Sequence, residues 1–93
     1  MAISFDERVR VPDHVLVRQV GGEAVLLDLD REECFGLDDV GTTMWEALNS
    51  ASSVEEAYQR LLEQFDIDGP TLRRDLSTLI DRLIDARLLQ TEG

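Results

Sequence analysis

Two kinds of side chain in this sequence have the chemistry for catalysis: a thiol and paired carboxylates. Cys34 is the one cysteine and His14 the one histidine, so a thiolate nucleophile activated by an imidazole would have to be built from these two. They fall on different strands of the pattern read below, and no third group is placed to orient the imidazole. Cys34 reads instead as a small buried hydrophobe, and His14 as a surface residue at a strand entrance. The pairs Glu32-Glu33 and Asp38-Asp39 suggest acid–base work or a metal site. Successive strand residues point to opposite faces, so Glu32 and Glu33 do not share one ion, and turn and helix-cap chemistry accounts for most of both pairs. A second role stays open, in which Glu32 or Glu33 attracts a basic residue of a partner. No catalytic residue, metal ligand or cofactor site follows from these side chains, and a non-enzymatic protein is expected.

The elements that place these residues are legible from pattern. "HVLVRQV" and "EAVLLDL" are aliphatic runs separated by Gly21-Gly22, a pair suited to the positive φ angles of a two-residue hairpin turn. "DRE" then marks a second turn, and "ECFGL" offers a third, shorter strand. Strand three of such a meander has a free row of backbone N–H and C=O groups unless something covers it. Gly36 within it marks either a bulge or a place where another backbone approaches closely.

Helix signals follow. Asp38 or Asp39 caps a helix carrying Val40, Met44, Trp45 and Leu48, which runs to about Asn49. Ser53 with Glu56 forms a capping-box pattern before Val54, Ala57, Tyr58, Leu61, Leu62 and Phe65. Asp68 as cap and Pro70 in the first turn open the longest periodic segment, "TLRRDLSTLIDRLIDARLL". The fold class is therefore α+β: a winged helix-turn-helix with a three-stranded antiparallel sheet followed by three helices. Residues 1–13 hold Pro12 and a mixture of charges without a period, and are expected to form a flexible arm ahead of a domain spanning residues 14–90.

Composition narrows the function classes. Ninety-three residues make one domain with a modest core. No segment approaches the roughly 18 apolar residues of a bilayer span, and the N-terminus lacks a signal-peptide layout, so no membrane association and a cytoplasmic location are expected. Twenty acidic residues against nine arginines give a net charge of −11. A duplex carries a negative charge every ~1.7 Å, so a nucleic-acid binder gathers a basic face. Here only Arg73 and Arg74 are adjacent, and Asp75, Asp81 and Asp85 interleave the arginines of the third helix. A winged-helix DNA-binding regulator is the rival reading, and the charge opposes it.

On the third helix, a step of about 100° per residue places Leu76, Leu79 and Leu83 within about 40° of Leu72, which defines the core seam. Ile80 and Ile84 widen the stripe on one flank, beside Arg73, Ser77 and Arg87. The other flank carries Asp75, Thr78 and Arg82. Either the sheet, the arm or the tail "LLQTEG" covers the isoleucine flank, or that flank lines a groove in which an extended peptide pairs with the third strand.

The order of elements and the stretch "VLLDLDREECFGLDDVGTTMWEAL" resemble the PqqD-like family, also described as the RiPP recognition element, over roughly Val15 to Leu89. The family consists of small winged helix-turn-helix domains that bind leader peptides of ribosomally made natural products. The resemblance implies a leader peptide added antiparallel to the third strand, here Cys34 to Leu37 with Glu33 at its start, and packed on the third helix at Arg73, Leu76, Ser77, Ile80 and Ile84. The chain departs from the pyrroloquinoline quinone subset, which shows a proline after the second strand, and is more similar to stand-alone proteins of lasso-peptide clusters. The implied partners are a precursor leader peptide and a biosynthetic enzyme, a cysteine protease or another tailoring enzyme.

Overall fold

A computed structural model describes residues 4–92. The elements are β1 (Arg8–Arg10), β2 (Val15–Val20), β3 (Glu23–Asp28), β4 (Glu33–Gly36), α1 (Asp39–Ser50), α2 (Val54–Gln64), α3 (Gly69–Asp85) and β5 (Gln90–Glu92). Strands β2, β3 and β4 form the expected antiparallel sheet in that spatial order, and the three expected helices follow it. Gly21 and Gly22 both have positive φ, 60° and 87°, and close the β2–β3 hairpin as the two central residues of its turn. No helix among the described residues is long and apolar enough to cross a membrane.

Each helix begins on a side chain that the sequence singled out. Asp38 accepts from the Gly41 amide at 2.8 Å, Ser53 from the Glu56 amide at 3.1 Å, and Asp68 from the Thr71 amide at 3.0 Å. The Glu56 carboxylate reaches back to the Ser52 amide at 2.9 Å, one residue beyond the cap. The hydroxyl and amide of Thr71 hold the Asp68 carboxyl below its usual range. That stabilisation is therefore complete above the unfolded value of about pH 4 and fades as pH falls through the lowered folded value.

Residues 4–13 differ from the expected flexible arm. Phe5 and Val9 belong to the hydrophobic core, and β1 pairs antiparallel with β5 in a separate two-stranded sheet. The carbonyls of Glu7 and Phe5 accept from the Val54 and Glu55 amides at 2.9 and 2.8 Å, so this segment satisfies the open N–H groups of the first turn of α2. The Arg73 guanidinium lies 3.9 Å from the centroid of the Phe5 ring and bonds Glu55 at 3.2 Å. The partner of this strand lies about eighty residues away in sequence, beyond the reach of any local pattern.

A single hydroxyl joins the sheet to the helices. Leu37 donates its amide to the Ala24 carbonyl at 2.8 Å, but the return bond of that pair is not direct. The buried Thr42 hydroxyl on α1 accepts from the Ala24 amide at 2.8 Å and donates to the Leu37 carbonyl at 3.3 Å, bridging the rung. At the far end of α3 the chain turns through Arg87 at φ 63°, with Arg87 and Leu88 amides bonded to the Ile84 and Leu83 carbonyls. This is a Schellman end with an arginine where glycine is favoured.

Thr42→Val keeps the shape of the side chain and leaves the Ala24 amide without a partner, so it should lower unfolding free energy by about 1–3 kcal/mol in urea titrations at unchanged slope. Arg87→Gly should act in the opposite direction, raising stability by up to about 1 kcal/mol by relieving the left-handed backbone.

Candidate functional site

Strand β4 is paired on one side only. Its register with β3 runs without a bulge, Val25 against Gly36, Leu26 against Phe35, Leu27 against Cys34 and Asp28 against Glu33. Antiparallel pairs alternate between bonded and non-bonded. Because Leu37 bonds Ala24, alternation directs the backbone groups of Phe35 and Glu33 inward to β3, and those of Cys34 and Gly36 outward. Among the described residues no strand lies on that outer side. The continuous register removes the bulge as an account of Gly36. A Cβ built there would meet nothing within 4 Å, which leaves an open approach for another backbone.

Side chains alternate as well. Phe35 shares a face with the buried Leu26, towards the helices, whereas Cys34 and Gly36 share the opposite face with Leu27 and Val25. Cys34 is accordingly exposed rather than buried, because among the described residues no layer covers its face of the sheet. That face also presents Leu16, Val20 and Leu29 at 44%, 65% and 59% exposure. The Leu29 amide donates to the His14 carbonyl at 2.9 Å, which extends the β2–β3 ladder past its strand ends and keeps Leu29 in phase. The His14 ring sits 3.0 Å from the Arg87 carbonyl and ties the start of β2 to the end of α3, so it is half-buried rather than free at the surface.

The helix flank beside β4 is the one bearing Arg82. Its guanidinium carbon lies 5.4 Å from the centroid of the Phe35 ring. One turn on, Ala86 joins Asp28, Glu33, Cys34, Phe35 and Leu88 around a cavity of about 40 Å³ that opens under the strand edge. The isoleucine flank lies on another side. Leu76 and Ile80 are fully buried in the core, and Ser77 is half-buried. Arg73 is engaged with Phe5 and Glu55, while Ile84 faces a depression shared with Pro12, His14, Leu89 and Thr91. The arm and the tail thus account for the widened stripe.

The structure brings Glu33, Cys34, Phe35 and Gly36 together at the open edge, with the buried Leu37 anchoring its exit. It does not bring Arg73, Ser77, Ile80 or Ile84 to that edge. Arg82 and Ala86 were missed as neighbours of β4. The signal was present in the helical angle, since both lie on the flank opposite Ile80, but nothing in the sequence said which flank the sheet would meet.

Comparison with known proteins places the architecture. The family model described as coenzyme PQQ synthesis protein D (PqqD) matches residues 23–89. A structure of TbiB1 in complex with the TbiA(beta) leader peptide superposes with a TM-score of 0.83 at 31% identity, over 90% of this chain and 98% of that one. A lasso peptide synthetase B1 complexed with the leader peptide shares the fold, with a TM-score of 0.81 at 22% identity over 89% and 98%. None of the curated proteins compared matches the sequence.

An open outer side has a direct signature in the free chain. The amides of Cys34 and Gly36 should exchange with solvent faster than that of Phe35 by NMR hydrogen exchange. Equal protection of all three would mean that the edge is covered.

Proposed function

This chain belongs to the PqqD family, and from that premise we propose that it captures the leader segment of a ribosomally made precursor peptide and presents it to a partner enzyme, catalysing no step itself. The observation that carries the reading is the outward pair of backbone groups at Cys34 and Gly36, on an edge that borders α3. A guest strand set antiparallel there gains main-chain hydrogen bonds from these residues and drops alternate side chains towards Phe35, Ala86 and the cavity beneath them. Glu33, Cys34, Phe35, Gly36 and Leu37 supply the strand, and Arg82 and Ala86 supply the helix side of the groove. The two leader-peptide complexes that share this fold support the same reading, and a lasso-type precursor is the peptide class they favour.

The partner enzyme, a cysteine protease or another tailoring enzyme, docks on the outer face of the sheet. Leu16, Val20 and Leu29 give that face an exposed apolar patch beside Arg18 and Glu23, and an added strand would extend it by its own outward side chains. An enzyme seated there touches adaptor and guest together. Capture and delivery then use two sides of one sheet.

DNA regulation gains nothing from the geometry. Arg73 and Arg74 are the adjacent cations, and their nearest acidic oxygens are Glu55 at 3.2 Å and Asp75 at 3.7 Å, on a chain of net charge −11.

Substitutions separate the two sides. Proline is tolerated on an edge strand where its missing N–H faces outward, so Cys34→Pro or Gly36→Pro should leave the sheet folded and weaken capture of the fluorescein-labelled leader about tenfold in anisotropy titrations. Leu16→Asp with Val20→Asp should leave that affinity unchanged and suppress processing of the precursor by the partner. Wild-type affinity in both proline variants, with the fold intact by circular dichroism, would refute strand capture on β4.

A further inference from the structure

Arg82 stands in a chain with twenty carboxylates and, among the described residues, has none within ion-pair distance. Asp81 is its neighbour, and Asp85 lies three residues on, at a spacing that brings side chains together on a helix. Instead its guanidinium rests on the Phe35 ring, 5.4 Å from the centroid, at the rim of the open groove. Arg60 and Arg73 are paired, Arg60 with Glu56 at 3.1 Å and Arg73 with Glu55 at 3.2 Å, and what sets Arg82 apart is its place over Phe35 at the strand edge. An exposed cation on a ring is held weakly, so Arg82 is a cation at the edge without a firm partner.

The position of Phe35 converts this into a statement about the guest. Added strands lie about 4.8 Å from their neighbour, and cross-strand partners on one face have Cβ atoms about 5 Å apart. A guest residue opposite Phe35 and facing α3 therefore enters the reach of the Arg82 guanidinium. One strand step away on the same face, Glu33 lies opposite the guest residue two positions further towards the guest's C-terminus. The charges at these two points are opposite.

We propose that Arg82 is a specificity-determining residue that leaves the Phe35 ring to bind an aspartate or glutamate of the guest, and that Glu33 rejects an acidic residue two positions on. The peptide class is thus a strand with a carboxylate opposite Phe35 followed, one residue skipped, by an apolar or basic side chain. The planar guanidinium takes a carboxylate through two parallel hydrogen bonds, a stronger and more directional contact than the ring it gives up. Exchanging Phe35 for an aromatic side chain of the guest would gain Arg82 little, because it already has a ring. This inference deepens the proposed strand capture and rests on it.

A library of random dodecapeptides displayed on their encoding messenger RNA, selected against the wild-type chain, Arg82→Glu and Arg82→Gln, tests the idea. Arg82 is exposed, so all three should fold, and thermal unfolding checks that they do. Wild-type pools should enrich Asp or Glu at one fixed offset from the apolar anchors, and Arg82→Glu pools should enrich Lys or Arg at that same offset. A selected acidic peptide should bind Arg82→Glu about five- to tenfold more weakly, and its acid-to-lysine version should reverse the order. The same residue preference in all three pools, with binding still lost in Cys34→Pro, overturns the role of Arg82 and leaves strand capture standing. Failure of any pool to enrich a peptide sensitive to Cys34→Pro overturns both.

Discussion

The hydroxyl of Thr42 is the joint on which the remaining geometry turns. It sits where the β3–β4 ladder ends, accepting from Ala24 and donating to Leu37, so one side chain of α1 stands in for a backbone-to-backbone bond. Were the rung direct, nothing polar would tie the sheet to the first helix at that depth. Because the rung passes through the helix, the exit of β4, the entry of β3 and the second turn of α1 are fixed relative to each other. The phase of β4 follows from the same rung. Leu37 faces Ala24, so Phe35 and Glu33 turn inward and Cys34 and Gly36 turn outward.

A four-residue edge strand is weak by itself, and nature ordinarily blunts such edges. This one stays open, and its stiffness comes from its inner side. Phe35 packs against the core, Leu37 is buried, and the Asp28 carboxylate orders the turn into β4 by accepting from the Asp30 and Arg31 amides at 3.0 and 3.1 Å. The strand is therefore held in an extended form before any partner arrives. A preformed edge loses little conformational entropy when another chain is added, which favours binding through a small area.

Much of the fold was legible because its signals were local. Gly21-Gly22, the caps Asp38, Ser53 and Asp68, and Pro70 each act within a few residues, and all mark the ends of elements where the sequence placed them. The open edge was legible too, since a third short strand followed directly by a helix has no later strand to pair with nearby. What escaped were the long-range choices. Pairing of β1 with β5 joins residues at opposite ends of the chain, and no periodicity reports it. That pairing, with Phe5 beneath Arg73, covers the isoleucine flank of α3 and leaves the Arg82 flank for the sheet. Cys34 was misplaced for a related reason: its apolar character suits a core, but the alternation set by Leu37 turns it to a face that no second layer of described residues covers.

The charge distribution fits an adaptor better than its net sign suggests. Carboxylates serve the helix starts and the β3–β4 turn, where they are bound by backbone amides and do structural work. The outer face of the sheet carries Leu16, Val20, Val25, Leu27 and Leu29, with Arg18 and Glu23 as its charged residues. At the groove, Arg82 and Glu33 oppose each other across one strand step. An overall charge of −11 opposes self-association and nucleic-acid binding electrostatically, while the two surfaces proposed for partners are largely apolar on one side and locally balanced on the other. Under the proposed strand capture, long-range repulsion and short-range selection fall to different residues, and an acidic chain accepts a guest carboxylate at one point without inviting it elsewhere.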